Sequence, residues 1–335
     1  MNDTLAAPGR PWMTVIGEAL IDLVPACAPL EYRARPGGSP FNVAVGLARL
    51  GNPTRLMARL ADNAFGRILR AHAEAESIDL SLAPHATEPT SLAVVSFDSA
   101  ARASYDFYLT GAADWQWSAE ELARLGPGAG VLHFGSLASW TPPGSARIHA
   151  VVGSQRAHGQ ALISYDPNVR PNLLGDPTQA RATVEASVGV AHIVKASSED
   201  IHWLYAGMSI DHVAAHWLEL GASLVVMTEG HKGARAFRAE GGAVRRPGRE
   251  ARVVDTVGAG DAFTAGLLSG LARRELTRPE LLADISMAAL CDVLDEAILV
   301  STLTCERQGA DPPTALRAGD WTPRKLEVSD VGYPS

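Results

Sequence analysis

Short apolar runs rich in β-branched residues recur along the chain: Thr14 to Gly17, Val131 to Phe134, Ala161 to Tyr165, His192 to Lys195, and Leu224 to Thr228. Runs this short and this continuously apolar suit strands buried on both faces of a parallel sheet. Stretches with helical periodicity lie between them. Val213, Trp217 and Leu220, for example, stand at i, i+4 and i+7, with Gly221 following as a stop signal. Strand alternating with helix predicts an α/β fold with a doubly wound, mostly parallel sheet.

Two stretches, about 19–36 and about 89–117, break this rhythm with alternating polar and apolar residues such as Ala103-Ser104-Tyr105-Asp106-Phe107-Tyr108. They read as strands without crossover helices. One domain over residues 1–335, with a small β-structured lid made from these two excursions, accounts for the pattern. Two functionless exposed hairpins fit it almost as well. An exposed edge strand of such a lid offers a surface for a homodimer, and a monomer is equally compatible.

Composition narrows the function. A chain of 335 residues, 47% hydrophobic and 20% charged, buries a large core. A net charge of −8 argues against a general nucleic-acid surface. Cys27, Cys291 and Cys305 are odd in number and far apart, which suggests neither a disulfide framework nor a zinc site. With no apolar run long enough for a bilayer or a signal peptide, a soluble cytoplasmic protein acting on small molecules is expected.

Two glycine-rich helix entrances carry the candidate chemistry. In Asp255-Thr256-Val257-Gly258-Ala259-Gly260-Asp261-Ala262-Phe263, three small residues precede a helical pattern of Phe263, Leu267 and Leu271. The first N–H groups of a helix have no internal acceptor, and the helix dipole favours negative charge there, so a phosphate can sit on them. Asp261, in the first turn, could take a proton from an attacking hydroxyl. The bland alternative is a tight turn with an N-terminal helix carboxylate. Neither a Walker-type loop nor a complete dinucleotide fingerprint occurs. The second entrance, Gly37-Gly38-Ser39-Pro40-Phe41-Asn42, precedes Val43, Leu47 and Leu50. Its paired glycines let polyol hydroxyls approach the main chain, and Asn42 offers a donor and an acceptor. A turn before an Asn-capped helix is the plain reading.

The segment Asp255 to Phe263 resembles the C-terminal signature of the ribokinase-like, or PfkB, carbohydrate kinases, and the Gly37-Gly38 segment resembles their N-terminal signature. The resemblance runs from about Met13 to Pro313. It implies Asp261 as catalytic base, Gly258, Ala259 and Gly260 as anion hole, and Arg170 as charge stabiliser. Sugar ligands would be Asp22, Gly37, Gly38, Asn42 and Asn168. ATP would lie near Lys195, Ser197, Thr228, Gly230 and Gly233, the last three in a segment similar to the family's nucleotide loop, where a hairpin turn is the alternative. Magnesium would involve Asp200 through water, because the family's Asn-x-x-Glu motif is here Ser197 to Asp200, and Ser197 also reads as a helix cap. Potassium near Asp255 is common in the family. The tail from Ala288 to Pro313 resembles the adenine side, although Asp292, Asp295 and Glu296 interrupt a helix expected to be more apolar.

Gly17-Glu18-Ala19-Leu20-Ile21-Asp22, Ala113-Asp114-Trp115, Asp166 to Arg170 and the Cys305 tail are together similar to bacterial fructokinases, which implies fructose as substrate. Two alternatives remain open: a 2-keto-3-deoxygluconate kinase using Arg170 for the substrate carboxylate, and a sugar-binding regulatory protein on the same scaffold. His212 and His216, at i, i+4, have the spacing of a metal pair without a third ligand, and surface histidines are the preferred reading.

Overall fold

The computed structural model describes residues 11–26, 28, 30–97, 103–126 and 130–315. Its strands, in chain order, are β1 (Met13–Ile16), β2 (Leu20–Pro25), β3 (Tyr32–Gly37), β4 (Thr54–Met57), β5 (Leu60–Ala61), β6 (His85–Ala86), β7 (Leu92–Phe97), β8 (Ala103–Tyr108), β9 (Val131–Gly135), β10 (Leu162–Asp166), β11 (Ile193–Ser197), β12 (Leu224–Thr228), β13 (Ala234–Arg238) and β14 (Ala243–Arg246). Eight of them form one sheet in the order β14-β13-β12-β11-β10-β9-β1-β4. The pairs from β4 to β12 are parallel, and β13 and β14 close one edge as antiparallel hairpins.

All five apolar runs form strands of this sheet, within a residue or two of where the pattern puts them. The pleat sends alternate side chains to opposite layers. Leu162 and Ile193 join one core with Phe41, Leu47, Phe263, Leu267 and Leu290. Their neighbours Ile163 and Val194 join a second core with Ile148, Val184, Val213 and Trp217. Both faces are therefore covered by helices, as a parallel sheet requires. The strands that periodicity did not single out, β4, β13 and β14, are short and carry arginines, as in Ala234-Arg235-Ala236-Phe237-Arg238.

A separate four-stranded sheet, β3-β2-β7-β8, is built from the two excursions. β2 pairs with β3 antiparallel and with β7 parallel, and β7 pairs with β8 antiparallel.

Three helices on the first face bring the two glycine entrances together. Ser39–Arg49 and Ala259–Arg273 pack side by side, with Met287–Cys305 behind the latter. Small residues allow the approach: a Cβ on Gly46 would lie 2.7 Å from the Ala265 Cβ, and one on Gly266 would lie 2.8 Å from the Ala297 Cα. The long helix continues unbroken through Asp292, Asp295 and Glu296 because arginines take up their charge. Arg246 holds Asp295 with two bonds of 2.7 Å, and Arg274 reaches Glu296 at 3.1 Å and Asp292 at 3.7 Å.

Gly46→Val should push apart the helices that carry Asn42 and Asp261. A loss of about 1–3 kcal/mol is expected in denaturant unfolding, as for an overpacked core, together with reduced turnover.

Candidate active site

The carboxyl ends of β9, β10, β11 and β12 lie in a row, with Asp166 in register with Gly135 and Ser197 with Thr228. Ligands of open α/β sheets bind at such ends. The helix starting at Ala259 enters beside them. Its N-cap, Gly258, has φ +75°, a left-handed backbone that glycine adopts without strain. The first helical bond runs from the Ala262 N–H to the Gly258 carbonyl at 2.8 Å. The amides of Gly260 and Asp261 thus precede the helix's internal ladder and are free to serve an anion.

Asp261 is 8% exposed and joins the two entrances directly. Ser39 Oγ donates to its Oδ1 at 2.6 Å and Asn42 Nδ2 donates to its Oδ2 at 2.8 Å. Burial raises its pKa above the ordinary aspartate value, while Ser39, Asn42 and the Lys195 ammonium pull it down. Each oxygen keeps a lone pair, so the carboxylate can accept one more proton donor. The Asn42 amide nitrogen is engaged with Asp261, which leaves its carbonyl oxygen for a ligand.

Lys195 lies behind the glycine turn. It is 4% exposed, and its Nζ donates to Asp166 Oδ2 at 2.8 Å. A Cβ on Gly260 would stand 3.0 Å from that Nζ, so the turn carries no side chain where the ammonium reaches it. Burial works against the lysine charge, but Asp166, Asp200 and Asp261 outweigh it and hold its pKa above the usual value. An ammonium beside free helix amides is suited to a phosphate.

Asp200 is tied to the backbone. It accepts the Val169 N–H on Oδ1 and the Ser197 N–H on Oδ2, each at 3.0 Å. The Ser197 hydroxyl in turn accepts the Asp200 N–H, completing a capping box, so Ser197 does act as the N-cap of its helix. Asn168 adopts φ +40° and its amide donates to Ser136 Oγ at 3.2 Å. Arg170 folds onto its own loop, donating from Nη1 to Asn168 Oδ1 at 2.7 Å. Thr228, Gly230 and Gly233 shape the β12–β13 hairpin, where the glycines have φ +57° and +98°. His212 pairs with Ser209 and His216 with Glu185.

Asp22 stands on β2 across the entrance. A Cβ on Gly37 would come within 2.2 Å of its Oδ2, so this glycine makes room for the carboxylate. Burial and the charge of Asp261 push the Asp22 carboxyl up to about 6, against the pull of Arg170. A cleft of about 540 Å³ opens between the four-stranded sheet and two loops, lined by Asp22, Arg35 and Tyr105 on one side and Asp255, Thr256 and Gly309 on the other. Asp255 fastens that floor, accepting the Val257 N–H at 3.0 Å and the Gly309 N–H at 2.8 Å.

Sequence reasoning passed over Ser39, although three-residue spacing puts it on one helix face with Asn42. It also passed over Lys195 as the partner of Asp166, and over Glu18. Glu18 is wholly buried, accepts the Ala138 N–H at 3.0 Å, and has its carbonyl 2.8 Å from where a Gly38 Cβ would be. A charged residue two positions beyond a buried strand was the available signal.

A buried carboxylate before free helix amides, an ammonium beside them and a cleft under a second sheet define an α/β kinase of the ribokinase-like type. The model of the pfkB family of carbohydrate kinases matches residues 13–315. The chain belongs to that family. It is 34% identical over 326 residues to the fructokinase of Rhizobium leguminosarum bv. trifolii, covering 95% of this chain and 97% of that one. It is 34% identical over 296 residues to the fructokinase of Klebsiella pneumoniae, covering 85% and 92%. Among solved structures, Xylella fastidiosa fructokinase with bound ATP superposes with a TM-score of 0.83 at 25% identity, covering 92% and 97%. Vibrio cholerae O395 fructokinase with fructose, ADP and calcium superposes with a TM-score of 0.77 at 28% identity, covering 90% and 94%.

Burial pushes the Glu18 carboxyl up to about 7, against the pull of Ser136 and of the Glu18 and Ala138 amides, with Asp114 adding to the rise. A raised carboxyl favours its neutral form in the folded state, so its contribution is fully present below pH 4.5 and lost as pH climbs to about 7. Glu18→Gln cannot charge. Between pH 5 and pH 8 it should gain stability relative to the wild type, by at most ~3 kcal/mol, in parallel denaturant titrations.

Proposed function

We propose that this protein is an ATP-dependent fructokinase, converting D-fructose and ATP to D-fructose 6-phosphate and ADP. The observation that carries the mechanism is the Asp261 carboxylate, fixed by Ser39 and Asn42 directly before the free amides of its own helix. Similarity to fructokinases over nearly the whole chain supports the choice of sugar.

In this reading Asp261 accepts the proton of the sugar's primary hydroxyl as its oxygen attacks the γ-phosphorus. The bond to the β-phosphate oxygen breaks and ADP leaves. The free amides of Gly260 and Asp261, presented by the Gly258-Ala259-Gly260 turn, and the Lys195 ammonium stabilise charge on the phosphoryl group in flight. Asp22, Gly37, Gly38, Asn42 and Asn168 hold sugar hydroxyls. Arg170, now folded on its loop, swings to the phosphoryl or sugar side. Thr228, Gly230 and Gly233 border the nucleotide with Lys195 and Ser197. The four-stranded sheet acts as a lid that excludes water, which would otherwise compete with the sugar as nucleophile.

Among the described residues no group of three or more His, Cys, Asp or Glu forms a cage for a metal ion. That donor set fits a magnesium ion carried in on the nucleotide phosphates with several of its waters. Asp166 and Asp200 would hold it through water, and when bound it would neutralise charge between the β- and γ-phosphates. A double mutant of the Vibrio cholerae fructokinase was crystallised with fructose, ADP and potassium. Backbone carbonyls of the Asp255 segment would hold such an ion here.

An ATP-consumption assay across a sugar panel that includes 2-keto-3-deoxygluconate tests the reading. Fructose should give the highest kcat/KM, and Asp261→Asn should lower kcat by about 10²- to 10⁴-fold while the protein stays folded. Preference for the sugar acid, or near-normal turnover by the variant, overturns it. The acid limb of the kcat profile should lie above 3.8, because burial raises Asp261 and the base works only when ionised. Removing a donor raises it further. Ser39→Ala should therefore move that limb to higher pH, which a pH–rate comparison with the wild type reads directly.

A further inference from the structure

The chain passes between the two sheets at four places, and one buried carboxylate ties three of them together. The first crossing runs from β1 through Gly17-Glu18-Ala19 into β2, the third reaches β7 through Ser91, and the fourth leaves β8 for the short helical turn Ala113–Trp115. Asp114, in that turn, is fully buried. Its Oδ1 accepts the Ala19 N–H at 2.9 Å and its Oδ2 accepts the Ser91 hydroxyl at 2.5 Å. Backbone bonds run beside it, from Ile21 N–H to the Ser91 carbonyl at 3.1 Å and from Ala113 N–H to the Pro89 carbonyl at 2.9 Å. The turn is anchored to the body. Trp115 is 2% exposed, and Arg59 donates to the Ala113 carbonyl at 3.0 Å while pairing with Glu121 and Glu88. The remaining crossing, at Gly37-Gly38, rests on the carbonyl of Glu18, next to Ala19.

A carboxylate is the side chain that can accept on two oxygens at once. In a buried setting two charge-assisted bonds are strong and directional. An apolar residue would fill the same space without fixing either strand.

We propose that Asp114 is a positioning residue, the pivot from which the second sheet swings, and that it sets the placement of Asp22, three residues beyond Ala19, relative to Asp261. The proposal rests on the lid reading above. A fixed pivot lets the sheet move as one body, so that closing over the sugar brings Asp22 to the same place each time. A slack pivot leaves the chemistry intact but spreads the closed state over many positions. The loss then falls on capture of the sugar rather than on nucleotide binding.

Three variants separate the pivot from general stability. Asp114→Ala removes both acceptors. Asp114→Asn keeps an oxygen for the Ala19 N–H and turns an amide toward the Ser91 oxygen. Ser91→Ala removes one arm with the carboxylate in place. With D-fructose and ATP, Asp114→Ala should raise the KM for fructose about tenfold and leave the KM for ATP unchanged, with Ser91→Ala intermediate and Asp114→Asn recovering most of the loss. Hydrogen–deuterium exchange of the sugar-free proteins should quicken in peptides covering residues 20–25 and 92–97 for Asp114→Ala and Ser91→Ala, and stay at the wild-type rate over residues 162–166.

Unchanged exchange in the second sheet, or exchange that quickens equally in both sheets, overturns the proposal. So does a kinetic loss that falls equally on both substrates. If the wild type does not phosphorylate fructose, the choice of sugar fails, and the exchange comparison still decides the pivot.

Discussion

Two helices from distant parts of the chain meet at the Asp261 carboxylate, and the geometry of the candidate site depends on that meeting. Ser39 and Asn42, one turn apart on the first, each hold one oxygen of a side chain that begins the second. The bonds hold because Gly46 and Ala265 let the helices approach closely further along. They also set the chemistry. Without them a carboxyl this buried would be driven more strongly toward its neutral form, which cannot accept a proton. The same two donors therefore fix where the oxygens are and favour their ionised form against the effect of burial.

A second pair works in concert. The Lys195 ammonium, buried against Asp166, would be costly if either partner were alone. Together they put a positive charge behind Gly260 while Asp200 and Asp261 add to the field that sustains it. The glycine at position 260 follows from space as much as from turn geometry, since a Cβ there would crowd the ammonium.

What could be read in advance depended on how local the signal was. The five buried strands were legible because continuous apolar runs need cover on both faces, and the glycine entrances because a helix start has its own composition. The β3-β2-β7-β8 sheet was legible as two excursions, although its pairing joins strands about 70 residues apart, which no local pattern encodes. β13 and β14 went unmarked because an edge hairpin with arginines lacks the apolar run. Among site residues, Asp261 and Asn42 were visible in motifs, whereas their contact was not. Ser39 stood in the second glycine entrance, and Glu18 and Asp114 in segments similar to fructokinases, with no role given to any of the three. Each takes its role from partners that only folding brings near.

The loop at Gln308 to Pro312 closes against the Asp255–Gly258 turn and the first glycine helix. Gly309 binds Asp255, Ala310 fills the space where a Gly258 Cβ would stand, and Arg49 from the first glycine helix binds Asp311 and, at 2.8 Å, the Pro312 carbonyl. During synthesis these are among the last described residues to leave the ribosome. A nascent chain can lay down its parallel strands one after another, but the entrance that would cradle a phosphate has no backing until this loop docks. The backing of that entrance thus becomes available to the chain only after the strands it stands beside have been made.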